Sequence, residues 1–429
     1  MKYGSIAGGD KTTVESALDI LKCGGNAFDA AVGAVFTSMV SEFTLTGPGG
    51  GGALLAYPAG ETPILFDFFV DTPPPQPNKK LDFFGILIDF GPATQKFHIG
   101  QGSVAVPGNT AGLLRVHERL GRIPLKTVLE PAIDIAKSGI ILNKAHGYLM
   151  KMLDPILSHT SAGQKLFNPK GNVLKEGDRF QNPAFADFLE GLISDGADFF
   201  YKGDGSKLIL GTVGEKGLLT KESLESYRVV ERTPLKSNFH GKTLYTNPIP
   251  SLGGTLITFT LQLLERSNTA SDTELLHLIN SMRLTASVRE KTADNPNENY
   301  QISDILEDKN MDQYFDQFLS MDLDNKTEND PPSRGATTQV SVIDREGNAA
   351  SITTTNGEGC GYLIPELGIM LNNMLGEEDL NPSGFHNFVK QMRLPTMMAP
   401  SLILGRAGPE LALGSGGSNR IRSAIIQVI

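Results

Sequence analysis

The sequence predicts an α+β fold in which antiparallel sheets are stacked in layers and covered by helices. Helical and strand-like segments alternate along its 429 residues. The strand-like segments come in pairs joined by short turns, which makes neighbouring strands antiparallel. Hydrophobic residues form 40% of the chain, enough for one large core or two smaller ones. This order suits a layered sandwich better than a parallel βαβ array.

The first elements are two helices, a glycine loop and a hairpin. After Asp10, the sequence Thr12-x-x-Glu15 offers a capping box, and apolar residues follow at helical spacing. Asn26 can cap a second helix, to about Met39, which is apolar on all sides and therefore predicted to be buried. The glycine-rich "TGPGGGG" then precedes "ALLAYPAGETPILFDFF", which is typical of two strands joined by a Pro/Gly turn.

The middle of the chain is less regular. Residues 71–98 contain three consecutive prolines and are predicted to form an irregular loop or lid. Residues 140–240 read as helices and loops, and a further helix follows Asp272. Residues 293–336 are polar, acidic and proline-containing, a composition that predicts a flexible linker.

The last part of the chain is predicted to be mainly β. The segment "TTQVSVIDREGNAASITTT", 337–355, has the alternation and the turn of a hairpin. The segments "GIMLNN" and "SLILGRAGPELAL" supply further strands. The closing "GSGGSNRIRSAIIQVI" indicates a glycine loop followed by a helix.

Composition favours small-molecule chemistry over nucleic-acid or membrane binding. The formal net charge is -10, and acidic and basic residues are interspersed. Cys23 and Cys360 are far apart, so neither a disulfide framework nor a zinc site is predicted. We see no signal peptide and no apolar run of roughly 18 residues. A cytoplasmic location is therefore expected, although a trimmed export signal stays open.

Thr337 stands at a suggestive junction between the predicted linker and the predicted hairpin. If the peptide bond after Ala336 were cut, Thr337 would carry both a hydroxyl and a free α-amine. Such an amine, with an ordinary pKa of about 7.7–8.0, can take the hydroxyl proton without a histidine. Threonine is also simply favoured in strands, so the residues alone leave both readings open. Cys360, in a glycine turn with no histidine nearby in sequence, is interpreted as a packing residue.

The chain resembles the γ-glutamyltranspeptidase family of N-terminal-nucleophile hydrolases over essentially its whole length. The matching segments include "DILKCGGNAFDAAVGA", "GPGGGGALL", "LLTKESLESYRVVERTPL", "TTQVSVIDREGNAASIT", "GIMLNNMLGEEDLNP" and "GSGGSNRI". The resemblance implies a four-layer αββα sandwich made as one precursor and cut between Ala336 and Thr337. Residues 1–336 would form the large-subunit region and 337–429 the small-subunit region of one intertwined domain. Family members continue further, so we expect the small region to be truncated at its C-terminus.

The resemblance also implies the catalytic residues. Thr337 would be the nucleophile, and Thr355 would hydrogen-bond to it and support its activation. Gly416 and Gly417 match the glycines of the family's oxyanion hole, ahead of a helix whose positive end favours an oxyanion. No metal or organic cofactor is implied.

Substrate recognition departs from the family pattern. Phe69 stands where an arginine pairs with the glutamyl α-carboxylate. A serine pair that binds the same carboxylate matches Thr396 and Met397, so one hydroxyl is kept. Asn356 lies one residue before the position where the family has an asparagine. Glu377 matches the acidic residue that pairs with the substrate's α-amino group.

Three hypotheses remain at this stage. The first is a self-processing γ-glutamyl transferase and hydrolase that forms a γ-glutamyl ester on Thr337 and passes it to water, an amino acid or a peptide. The second is a related amide acylase with a different acyl preference. The third is a non-catalytic relative, against which the retained Thr337, Thr355 and glycine pair argue. Assembly into a homo-oligomer stays open.

Overall fold

The computed structural model describes residues 2–89, 94–267, 274–294, 302–321, 336–388 and 391–429. Within these ranges the strands are β1 (Gly4–Gly8), β2 (Gly51–Tyr57), β3 (Ile64–Phe68), β4 (Phe84–Asp89), β5 (Thr94–Ile99), β6 (Ile140–Ile141), β7 (Arg179–Phe180), β8 (Val230–Arg232), β9 (Leu235–Phe239), β10 (Lys242–Thr246), β11 (Thr338–Asp344), β12 (Ala349–Thr355), β13 (Leu363–Ile364), β14 (Ile369–Met370), β15 (Ser401–Gly405) and β16 (Gly408–Leu413).

The α-helices of the same ranges are α1 (Lys11–Lys22), α2 (Ala27–Ser41), α3 (Asn109–Leu120), α4 (Leu125–Ser138), α5 (Lys144–Leu157), α6 (Ser161–Phe167), α7 (Pro183–Asp195), α8 (Ala197–Tyr201), α9 (Asp204–Val213), α10 (Lys221–Ser226), α11 (Leu252–Ser267), α12 (Glu274–Asp294), α13 (Asp308–Leu319) and α14 (Ile421–Val428). None of them is long and apolar enough to cross a membrane.

Two antiparallel sheets form the centre of the molecule. The larger sheet has the strand order β1-β11-β12-β2-β3-β8, and the smaller has the order β16-β15-β10-β9. The predicted hairpin of β11 and β12 is confirmed, and it lies inside the larger sheet, between β1 and β2. The region after Ala336 is therefore paired on both sides with strands from the first sixty residues.

The two sheets pack face to face, and helices cover their outer faces. In β2, Ala53 and Leu55 belong to the core between the sheets, whereas Leu54 and Ala56 belong to the core under the helices. This follows from the alternation of side chains along a strand, and it explains why β2 is buried on both faces. Helix α2 packs on β11 and β12, and α11 packs on β9 beyond the smaller sheet. The predicted αββα sandwich is confirmed.

Local capping signals define the first two helices. Asp10 caps α1 by accepting a hydrogen bond from the Thr12 amide at 2.8 Å, so the predicted Thr12-x-x-Glu15 capping box is wrong. Asn26 caps α2 as predicted, accepting from the amides of Phe28 and Asp29 at 2.9 Å. Every residue of α2 is buried, as its apolar composition indicates.

The segment predicted as an irregular loop or lid contains a hairpin. Strands β4 and β5 pair in antiparallel register, with Phe84 opposite Ile99. Ile88 and Phe97 of this hairpin are buried in the core under the helices. The three prolines exclude a strand only at their own positions, so the prediction for the whole segment was too broad.

The prediction of a flexible linker over 293–336 is wrong for its central part. Residues 302–306 form a 3-10 turn, and α13 follows it. Met311 and Phe318 of α13 are buried in the core beside α11, which offsets the polar composition of the other face. The remaining parts of the predicted linker, 295–301 and 322–335, lie outside the described residues.

Candidate active site

Most of the predicted site residues surround one open cavity at the start of β11. The cavity has about 600 Å³ of empty space. The predicted residues that line it are Phe69, Ala336, Thr337, Thr355, Glu377 and Thr396. These residues lie at the end of β12 and in loops, one of them directly after β3, so the sandwich brings together positions that are far apart in sequence.

The peptide bond between Ala336 and Thr337 is held from one side by Thr355. The Thr355 hydroxyl donates a hydrogen bond to the carbonyl oxygen of Ala336. It accepts one from the amide of Gly357 at 3.0 Å, which fixes the direction of its own hydrogen. A donor on a carbonyl oxygen withdraws electron density from the carbonyl carbon, so this contact favours attack on Ala336.

The second threonine of the pair, Thr338, has a different environment. Its hydroxyl donates to Glu42 at 2.8 Å, and Thr13 donates to the same carboxylate at 3.0 Å. Burial raises the pKa of Glu42, and the two donated hydrogen bonds oppose that rise. The Thr338 hydroxyl is thus committed to a buried contact, whereas Thr337 faces the cavity.

The glycine loop before α14 lies against Thr337. A Cβ atom at Gly416 would overlap the carbonyl oxygen of Thr337, so this approach requires glycine. Gly417 has a φ of 115°, in the left-handed region. Backbone amides in such a loop can point at an oxyanion formed beside Thr337.

The first glycine loop supports the other strand, β12, at the same open end of the hairpin. Gly51 pairs with Thr355 in the sheet, and a Cβ atom at Gly50 would overlap the Thr355 carbonyl oxygen. The loop leads into β2 and not into a helix, so it lacks the geometry of a phosphate-binding loop. Its glycines let the backbone pack closely on Thr355.

Two acidic residues near the cavity have raised pKa values. Glu377 lines it, and burial together with the charge of Asp379 raises the pKa of Glu377 to about 7. Glu358 is only 6% exposed, and burial together with the charge of Glu377 raises its pKa well above the ordinary value. Each has one buried oxygen without a hydrogen-bond partner among the described residues. Sequence reasoning missed Glu358, whose only signal was an acid inside the glycine turn that ends β12.

Asn356 is not brought to this cavity. Its side chain donates to the carbonyl oxygen of Met370 at 3.1 Å and lines a separate, narrower cavity with Glu358. Successive side chains at the end of a strand point to opposite sides, so Thr355 faces the nucleophile while Asn356 points away.

Arg393, a basic residue close to Phe69, is already paired with two carboxylates. Phe69 is 2% exposed and lines the cavity with its ring. Arg393 donates to Asp67 at 2.8 Å and to Asp71 at 2.6 Å, the acids on either side of Phe69. With both carboxylates bound, Arg393 cannot stand in for the arginine missing at Phe69.

Arg289 of α12 is a basic side chain that lines the cavity and that sequence reasoning missed. It lies 3.5 Å from Asp379, which also accepts hydrogen bonds from Ser418 and Asn419 at 3.1 Å. Burial and the charge of Arg289 lower the pKa of Arg422 to about 10. No sequence motif marks Arg289, because it reaches the site only through the packing of α12.

Thr396 and Cys360 lie in different environments. Thr396 lines the cavity, and its hydroxyl accepts a hydrogen bond from the Met398 amide at 3.1 Å, which leaves its own hydrogen to donate. Cys360 is buried, and burial raises the pKa of its thiol to about 12, which keeps it from acting as a thiolate. Among the described residues, no group of three or more His, Cys, Asp or Glu side chains could hold a metal ion.

Comparisons with known proteins place the chain in a family. The family model described as Gamma-glutamyltranspeptidase matches residues 13–429. The "Glutathione hydrolase proenzyme" of Bacillus subtilis (strain 168) is 29% identical to the chain over 473 residues, covering 100% of the chain and 77% of the relative.

Solved structures share the fold. The cephalosporin acylase from Bacillus halodurans superposes with a TM-score of 0.82 at 20% identity, covering 99% of this chain and 80% of that one. The Helicobacter pylori gamma-glutamyltranspeptidase gives a TM-score of 0.65 at 24% identity, covering 76% of this chain and 94% of that one. At these identities the likeness concerns the fold alone.

Proposed function

Because the chain belongs to the gamma-glutamyltranspeptidase family, we propose that it is a self-processing γ-glutamyl transferase and hydrolase acting on γ-glutamyl amides of the glutathione type. The observation that carries the proposal is the position of Thr337, at an open cavity, directly after a carbonyl that Thr355 holds. The word "proenzyme" in the name of the Bacillus subtilis relative supports a precursor that is cut during maturation.

Maturation starts from the uncut chain. The Thr337 hydroxyl attacks the carbonyl carbon of Ala336, the bond to the Thr337 nitrogen breaks, and that nitrogen takes up a proton. Water then hydrolyses the resulting ester, which leaves a carboxylate on Ala336 and a free amine and hydroxyl on Thr337. The two regions stay together, because β11 and β12 are paired with β1 and β2.

Turnover uses the new N-terminus. The Thr337 amine takes the hydroxyl proton as the oxygen attacks the γ-carbonyl of the substrate, and the oxyanion is met by amides of the loop at Gly416 and Gly417. The leaving amine takes a proton and departs, and the γ-glutamyl ester remains on Thr337. Water, or the amino group of an amino acid or peptide, then attacks the ester and restores the hydroxyl.

Recognition of the glutamyl group is assigned to residues around the cavity. Glu377 pairs with the α-ammonium, and the Thr396 hydroxyl donates to the α-carboxylate. Arg289 supplies the cation that Phe69 does not: its 3.5 Å contact with Asp379 is long for a hydrogen bond, and Asp379 has closer donors. The neighbouring charge of Arg422 adds to the positive potential for a carboxylate.

One feature favours the second hypothesis, an acylase with another acyl preference. Phe69, Met374, Met397 and Met398 line the cavity and give it a largely apolar wall. An aryl or aliphatic acyl group would bury apolar surface there, which a zwitterionic glutamyl group does not.

A panel of anilide substrates tests the proposal. The γ-glutamyl anilide carries both charges, the glutaryl anilide lacks the ammonium, and the phenylacetyl anilide lacks both. The proposal predicts the highest kcat/KM for the γ-glutamyl compound and no turnover of any by Thr337→Ala. A preference for the phenylacetyl compound would support the second hypothesis, an acylase with another acyl preference. If a correctly cut wild type turned over none of the three compounds, the hypothesis of a non-catalytic relative would be favoured.

A further inference from the structure

Ala336 is held at both of its polar backbone groups by one short segment, Thr355 to Glu358. Its carbonyl oxygen accepts a hydrogen bond from the Thr355 hydroxyl. Its amide donates to the carboxylate of Glu358. The residue before the nucleophile is therefore held by two side chains, one from the last residue of β12 and one from the turn that follows it.

Glu358 is itself firmly placed. Its backbone amide donates to the side-chain oxygen of Asn373 at 2.9 Å. Gly357, with a φ of 58°, lets the chain turn between Thr355 and Glu358. A Cβ atom at Gly357 would overlap the side chains of Asn373 and Glu377, so the turn requires glycine.

We propose that Glu358 is a positioning residue for maturation, which holds the amide of Ala336 so that its carbonyl is presented to the Thr337 hydroxyl. This inference rests on the proposed self-processing function. A residue has only two soft backbone dihedrals, and anchoring both its N–H and its C=O restrains them together. Such restraint keeps the reacting atoms of Thr337 and Ala336 in an attack geometry. Reaching that geometry is otherwise a large part of the barrier to reaction.

The role belongs to the uncut chain. After cleavage Ala336 carries a terminal carboxylate and no longer shares a peptide bond with Thr337, so the contact with Glu358 does not take part in turnover. Loss of the Glu358 contact should therefore slow cleavage more than it slows turnover by enzyme that has already been cut.

The test compares three variants by the rate at which purified precursor is cut, followed by gel electrophoresis and intact mass. Glu358→Leu has similar size and no acceptor, and we expect cleavage to slow at least about 10-fold, as for loss of a hydrogen bond to a buried carboxyl group. Glu358→Gln keeps an acceptor oxygen and should restore cleavage to near the wild-type rate. The control Glu378→Leu makes the same change at an exposed neighbouring acid and should leave the rate unchanged.

Equal cleavage rates for Glu358→Leu and Glu358→Gln would overturn the inference. If Glu358→Leu does not fold, Glu358→Asp takes its place, since the shorter side chain withdraws the acceptor, and cleavage as fast as that of Glu358→Gln would again overturn it. A wild type that is not cut before Thr337 would instead contradict the proposed function, so the two failures are distinguishable.

Discussion

The hydroxyl of Thr355 donates a hydrogen bond to the carbonyl oxygen of Ala336, between the neighbouring strand ends at the open end of the central hairpin. The Gly357 amide fixes the orientation of that hydroxyl. Register alone does not produce this contact, because the last pair of the hairpin is Thr338 with Thr354. The contact lies one residue beyond that pair on β12 and two residues before it on the β11 side.

Thr355→Ala should slow cleavage of the precursor by about 10²-fold, because donors that stabilise a developing oxyanion contribute on that scale. The measurement is the fraction of cut chain over time. Thr355→Ser, which keeps the donor, is the matched control and should be cut at a rate close to that of the wild type. Equal cleavage of Thr355→Ala and the wild type would remove Thr355 from the mechanism.

Arg289→Gln should lower kcat/KM for the γ-glutamyl anilide by about 10- to 100-fold, as expected for the loss of a charge-assisted hydrogen bond. The same variant should leave the 4-aminobutyryl anilide, which lacks the α-carboxylate, nearly unaffected. Arg266→Gln is the control, since Arg266 pairs with Asp312 on the surface at 2.5 Å. A parallel loss on both substrates would show that Arg289 acts on structure and not on the carboxylate.

The pKa of Glu377, raised to about 7 by burial and by Asp379, predicts a pH effect on substrate binding. Below that value Glu377 is largely protonated and neutral, so attraction for the substrate ammonium is lost as the pH falls through about 7. In Glu377→Gln the fall of kcat/KM at low pH that comes from protonation of Glu377 should disappear. Only the fall that comes from protonation of the Thr337 amine should remain. The glutaryl anilide has no ammonium, so its kcat/KM should not show the Glu377 pH dependence even with the wild type. The same pH dependence with this substrate would contradict the pairing of Glu377 with the ammonium.

Local sequence signals were sufficient for the elements that depend on local chemistry. The Asn26 cap, the uniformly apolar α2 and the turn between β11 and β12 each carry their own determinants within a few residues. Helix α13 was missed because its composition is polar; Met311 and Phe318 are buried in the core, and Tyr314 and Phe315 pack partly buried against it. Its stability comes from packing beside α11, which composition does not reveal.

The site residues also divide into those that sequence motifs indicate and those that only the assembled fold brings together. Thr337, Thr355 and Glu377 could be placed from motifs, because they flank the glycine turns that shape the cavity. Glu358 and Arg289 could not, because their relevance lies in contacts with Ala336 and Asp379 that arise only when the sheets and α12 are assembled. Asn356 was misplaced because the alternation of the chain after β12 turns it away from the nucleophile.

The central claim is that Thr337 becomes an N-terminal nucleophile, and intact-mass spectrometry with N-terminal sequencing of the purified protein tests it most directly. The account predicts two chains, the smaller beginning Thr337-Thr338-Gln339, and a single uncut chain for Thr337→Ala. A wild type that stays in one piece, or one that is cut elsewhere, would contradict it.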